Sequence, residues 1–194
     1  MRIETVMKSL FLILLVVIPW VLTAQKYVLS VTEVNINGTS NLHDWTMNSK
    51  AAEGEVLLAM DNGKLSNIER LHFRTKVKTL KSGKNTMDNI CYEALKEEEH
   101  PLITFKLMEV ESITNGNGSY IVKVSGWMNI AGMTRKEIIV ATGSFKNGVI
   151  EFSGKHKLKM SDYDIDAPTA LFGTIKTGDE IEVVFLTRFL RPGV

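Results

Sequence analysis

The sequence predicts an all-β protein whose antiparallel strands close into a barrel or fold into a sandwich, with a helix set among them. Three observations predict it. Val, Ile, Thr, Phe and Tyr recur in short runs. Turn signals interrupt those runs at Asn37-Gly38, Asp61-Asn62-Gly63, Ser82-Gly83, Asn115-Gly116-Asn117-Gly118, Asn147-Gly148 and Thr177-Gly178-Asp179. In the clearest runs apolar and polar residues alternate, as they do in a strand with one buried and one wet face. No internal repeat, low-complexity tract or linker divides the chain, so one domain is expected over residues 25–194.

The first 24 residues stand apart. Arg2 and Lys8 precede the apolar run LFLILLVVI, and a short segment ending in Ala24 follows. This is the three-part pattern of a secretory signal peptide, too short to span a bilayer comfortably, with cleavage expected after Ala24. It implies export to the periplasm. Removing Arg2, Glu4 and Lys8 takes the formal charge from +1 to zero. A neutral balance excludes a general nucleic-acid binder, which needs a basic excess. The one cysteine, Cys91, allows no internal disulfide and no Cys-based zinc pattern.

The stretch GTSNLHDWTM, residues 38–47, places His, Asp and Trp side by side. A strand is expected here, with His43, Trp45 and Met47 on one face and Leu42, Asp44 and Thr46 on the other. Adjacent strand side chains diverge, so His43 and Asp44 cannot form a dyad with each other. Trp45 then serves as an apolar anchor and Asp44 lies near a rim.

The strand at 70–79 sets Leu71, Phe73, Thr75, Val77 and Thr79 inward, against a wet basic row of Arg70, His72, Arg74, Lys76 and Lys78. Residues 85–101 carry one helical stripe of Met87, Ile90, Cys91, Ala94 and Leu95. Asn85 or Thr86 is expected to cap this helix, Asp88 suits its first turn, and His100-Pro101 ends it. Residues 120–130 point Tyr120, Val122, Val124, Met128 and Ile130 inward but leave Ile121 and Trp127 outside. Residues 150–160 place Ile150, Phe152, His156, Leu158 and Met160 on one face. Residues 181–189 are apolar on both faces, so a helix packed outside the sheet is expected as cover.

Little of this points to chemistry. His43, His72, His100 and His156 lie in different elements, without the spacing of a metal site. No Gly-x-Ser-x-Gly elbow occurs, and Gly83-Lys84-Asn85-Thr86 lacks the frame of a phosphate loop. His156 is either a hydrogen-bonded core histidine or a polar contact within a pocket. Asn37-Gly38-Thr39 and Asn117-Gly118-Ser119 match the glycosylation triplet and read equally well as turns.

Several stretches together resemble the YceI-like family of exported, polyisoprenoid-binding, lipocalin-like proteins. They are Tyr27-Val28-Leu29, Gly38 to Trp45, the strand ending at Ser82-Gly83, Met87-Asp88, Ala94-Leu95-Lys96, His100-Pro101-Leu102-Ile103-Thr104-Phe105, and the Gly126-Trp127-Met128-Asn129-Ile130-Ala131-Gly132-Met133-Thr134-Arg135 strand and turn. His100, Met133 and Arg135 replace residues more usual there. The resemblance implies an extended antiparallel barrel of about eight strands, lipocalin-like, with one or two short helices. It also implies a long isoprenoid or other amphiphilic lipid held non-covalently in the lumen, with no catalysis, no metal and no cofactor.

Leu71, Phe73, Val77, Val122, Val124, Met128, Phe152 and Leu158 are then the expected ligand-binding lining. The same residues equally describe a solid core. The expected function is a periplasmic carrier or binding protein for an isoprenoid-like or fatty lipid, with transient membrane-surface contact and room for a homodimer. The alternatives are a ligand-free envelope or stress interaction protein with a filled core, and a hydrolase using His43 or His156 with a carboxylate.

Overall fold

The structure, a computed structural model, describes residues 24–116 and 118–192. The expected signal peptide lies outside the described residues except for Ala24, which begins the first strand. Ten strands run in chain order: β1 (Ala24–Ser40), β2 (Trp45–Ser49), β3 (Glu53–Asp61), β4 (Lys64–Lys76), β5 (Leu102–Asn115), β6 (Tyr120–Ile130), β7 (Met133–Lys146), β8 (Val149–Lys159), β9 (Thr169–Ala170) and β10 (Ile175–Leu190). One helix, α1 (Asn85–Ala94), separates β4 from β5. Short 3-10 turns follow β4 at Val77–Thr79 and β8 at Met160–Tyr163.

Eight strands close an antiparallel barrel in the order β1-β3-β4-β5-β6-β7-β8-β10, and β10 returns to β1 with Val28 opposite Leu190. Closure gives every barrel strand a partner on each side over part of its length, which limits edge-to-edge association. β2 lies beside the later half of β1, and β9 is a short arm on β10.

The two ends of the barrel are built differently. At one end the strands turn tightly. Asn62-Gly63 and Asn147-Gly148 form two-residue hairpins with both residues at positive φ, the geometry whose twist matches the flanking strands. That end is solid: Tyr27, Val56, Leu58, Leu65, Ile150 and Phe189 are all at most 2% exposed. Tyr27 meets Phe145 edge-on at 6.4 Å and Phe152 meets Phe189 at 6.3 Å. The other end carries the longer connections: residues 41–44, the β4–α1–β5 crossover, and the 160–174 segment.

The structure corrects several expectations. The strand expected over 70–79 begins at Lys64 and ends at Lys76, so Val77 sits in a 3-10 turn. Asn37-Gly38 and Thr177-Gly178-Asp179 are not turns; they lie within β1 and β10. Gly38 is needed for close approach, because a Cβ there would stand 2.1 Å from the Trp45 ring. The α1 N-cap is Lys84, with no side-chain cap, rather than Asn85 or Thr86. The helix does not cover the outside of the sheet. Ile121, Trp127, Ile138 and Val140 remain exposed on the outer face of β6 and β7.

Candidate functional site

The inward rows of the barrel leave a cavity of about 610 Å³ between the solid end and the long connections. That is within the range of about 300–1,000 Å³ usual for small-molecule pockets. Its walls are Val34 and Ile36 of β1, Leu71 and Phe73 of β4, Val122, Val124 and Met128 of β6, Ile139 and Ala141 of β7, and Val183 and Phe185 of β10. Phe105 of β5 stands between Phe73 and Met128 in the wall, and Phe152 and Phe189 form the floor. Seven of the eight residues expected to line a lumen do so. Val77 does not: it is fully buried in the turn after β4 and outside the cavity wall. Strand alternation does not reach Val77, because β4 ends at Lys76.

Helix α1 roofs the cavity. Met87, Ile90, Cys91, Ala94 and Leu95, the whole predicted stripe, face the lumen. Each is only partly buried, as expected of side chains bordering a void rather than packed into a core. The roof is fastened from outside. Ser82 donates to Asp88 through its backbone N–H and its hydroxyl, both at 2.7 Å, with Lys81 3.5 Å away. These hydrogen bonds, first the hydroxyl's and then the backbone's, hold the Asp88 carboxyl below its ordinary value. Tyr92 donates to the Leu80 carbonyl at 2.9 Å and accepts from Lys81 at 2.6 Å. Burial pushes the Cys91 thiol up to about 12, so at neutral pH it is an apolar contact.

The mouth lies between residues 40–45, the start of α1 and the 168–177 hairpin. Residues 41–44 form a turn rather than the expected strand. Ser40 Oγ accepts from the backbone N–H of Leu42 and His43 and donates to the His43 carbonyl. His43 Nδ1 lies 2.8 Å from the backbone oxygen of Asp44, not its carboxylate. Trp45 lies over Gly38 and donates Nε1–H to the Thr39 carbonyl at 3.0 Å, so its edge borders the mouth instead of anchoring a core. In the 168–177 hairpin, Leu171 and Phe172 take positive φ of 49° and 56°, and Phe172 is fully exposed.

Two groups were not foreseen in the sequence. Glu137, on the inward row of β7, meets His156 Nε2 at 2.9 Å and accepts the Tyr163 hydroxyl at 2.7 Å. The alternation of Glu137, Ile139 and Ala141 would have placed Glu137 inside. Tyr163 follows β8 in a 3-10 turn, which period-2 reasoning does not reach. Among the described residues, no three His, Cys, Asp or Glu side chains converge as a metal site would.

Fold and cavity together define a class: closed antiparallel β-barrels with an apolar, roofed lumen. A model of the YceI-like domain matches residues 22–189, and the chain belongs to that family. Solved structures agree in fold. BcnA of Burkholderia cenocepacia superposes with a TM-score of 0.65 at 15% identity, over 81% of this chain and 95% of its own. A polyisoprenoid binding domain from Saccharophagus degradans, implicated in plant cell wall breakdown, gives 0.67 at 12% identity, over 86% and 98%. The Campylobacter jejuni YceI protein gives 0.59 at 20% identity, over 76% and 85%. No curated protein sequence matches the chain.

The motifs that carried the resemblance meet in space. The Phe105 ring lies so close over Gly126 that a Cβ there would stand 2.4 Å from it, and His100 lies equally close over Gly132. The helix-to-strand turn and the Gly126 strand are therefore two halves of one packing unit.

Proposed function

We propose that the protein binds a long-chain isoprenoid-like or fatty lipid in the barrel lumen and acts as an exported, periplasmic carrier without a catalytic step. The observation that carries this reading is the roofed apolar cavity, with the α1 stripe among its lining and Ala94 and Leu95 also packed on the Ile130–Tyr163 cluster. A slender chain gains about 0.8 kcal/mol for each methylene buried, so affinity needs few polar contacts. The polyisoprenoid binding named for the Saccharophagus domain supports the same ligand class. In this reading Leu71, Phe73, Val122, Val124, Met128, Phe152 and Leu158 contact the chain, and Val77 supports the wall from behind.

Membrane-surface contact belongs to the same proposal. Leu171 and Phe172 stand at the mouth as an exposed apolar tip, and bulky side chains at positive φ are costly to hold there. Such a tip suits shallow insertion into a lipid surface, from which a ligand would pass into the lumen. The hydrolase reading finds less support. Among the described residues, the His156–Glu137 pair has no serine or cysteine as a hydrogen-bond partner, and its neighbouring hydroxyl, Tyr163, already donates to the carboxylate.

The test is native mass spectrometry of protein exported into a bacterial periplasm, followed by organic extraction. A discrete added mass that extracts as a long-chain lipid is expected, and Phe73→Arg is expected to abolish it. A bare mass that stays bare with isoprenoid lipids added overturns the proposal.

A further inference from the structure

Away from the mouth, the polar groups in the lining are the hydroxyls of Ser49, Thr75 and Thr187 and one imidazole, set half-way along the wall. On β8, His156 lies between Phe152 at the floor and Leu158 beneath the roof, and its ring borders the cavity. Glu137 and Tyr163 stand behind it and do not line the cavity. The His156 and Glu137 side chains are 15% and 17% exposed. Burial first, and then the bond to Glu137, raise the Tyr163 phenol far above its ordinary value, so it remains an O–H donor. One Glu137 oxygen therefore receives Tyr163 and the other receives His156 Nε2–H. This fixes the tautomer and leaves Nδ1 as the available ring nitrogen, with no hydrogen-bond partner among the described residues.

We propose that His156 Nδ1 is the head-group site for an uncharged long-chain alcohol, whose hydroxyl binds the ring while its chain fills the apolar lumen. This rests on the lipid-binding reading and names the ligand's polar end. A hydroxyl suits the site in either charge state, accepting from a protonated ring or donating to a neutral one. A phosphate does not suit it. The Glu137 carboxylate lies directly behind the ring, and the one lysine in the lining, Lys84, is at the mouth.

The test uses delipidated mature protein and three probes sharing one C20 isoprenoid skeleton: the alcohol, the hydrocarbon and the monophosphate. Binding is read by displacement of a fluorescent fatty probe. The alcohol is expected to bind about 5- to 10-fold more tightly than the hydrocarbon, the range of one neutral hydrogen bond. In His156→Leu this preference should vanish while hydrocarbon binding persists, which also shows that the barrel is folded. Glu137→Gln should weaken the preference and serves as the second variant. Equal affinity for alcohol and hydrocarbon, tightest binding of the phosphate, or a preference that survives His156→Leu overturns the head-group site and leaves the lumen reading standing. Failure of all three probes to bind the wild type overturns the lumen reading, and the head-group site with it.

Discussion

The two ends of this barrel use the same eight strands and the same inward alternation, yet one is solid and the other hollow. At the solid end, aromatic and branched side chains from Tyr27, Ile150, Phe152 and Phe189 meet across the axis, and the Asn62-Gly63 and Asn147-Gly148 connections turn in two residues. At the hollow end, Val34, Ile36, Val183 and Phe185 face a void, and the connections carry a helix, a 3-10 turn and a hairpin. Side-chain alternation alone does not separate a filled barrel from a lined one. The helical crossover does, because at the hollow end, beside the two-residue Ala131-Gly132 turn, α1 is long enough to hold a roof away from the floor.

Paired truncations break this comparison most directly. Ile150→Ala, at the solid end, should cost about 2–5 kcal/mol in denaturant unfolding. Ile36→Ala, on the cavity wall, should cost about 1 kcal/mol, since fewer neighbours surround it to be lost. Equal costs would mean that the lumen is packed in solution.

The next effect tests the roof. Asp88→Ala leaves the Ser82 N–H without its acceptor and should cost about 1–3 kcal/mol. It should also speed escape of a bound lipid, measured by transfer to acceptor vesicles. Since the folded Asp88 carboxyl lies below its unfolded value of about 3.9, its contribution is present above that pH and is lost as pH falls through the folded value. Acid unfolding of Asp88→Asn should therefore lose part of the pH dependence seen in the wild type below about pH 4.

The smallest effect has the opposite sign. Phe172→Gly relieves a positive φ and should stabilise the fold by up to about 1 kcal/mol, while reducing co-sedimentation with vesicles. A destabilised Phe172→Gly protein would show that the tip packs on the mouth rather than facing outward.

Most of the barrel was legible in the sequence, and the reasons are specific. The row Leu71-Phe73-Thr75 and the row Ile150-Phe152-His156-Leu158 lie inside as alternation requires. The α1 stripe was visible too, but not what it faces, because an apolar face reads the same against a core or a void. The misreadings fall where local geometry changes within a few residues: Val77 just past the end of β4, residues 41–44 where Ser40 folds the chain into a turn, and Gly38, kept for a ring rather than for a bend. The outward apolar residues Ile121 and Trp127, with the two apolar faces of residues 181–189, suggested a covering helix, yet Ile121 and Trp127 remain on the surface. The His156–Glu137–Tyr163 cluster joins three separate elements, and only the folded register brings them together.

The seam between β1 and β10 bears on how the barrel comes into being. Val28 faces Leu190, so the first strand of the barrel waits for the last before it is fully paired. Contacts so distant in sequence are slow to form, and the waiting edge is open to any other extended chain nearby. Loss of the final residues of β10 would thus do more than shorten a strand. It would leave the ring unsealed, with two sticky margins at the moment when a newly made chain is most exposed to its neighbours.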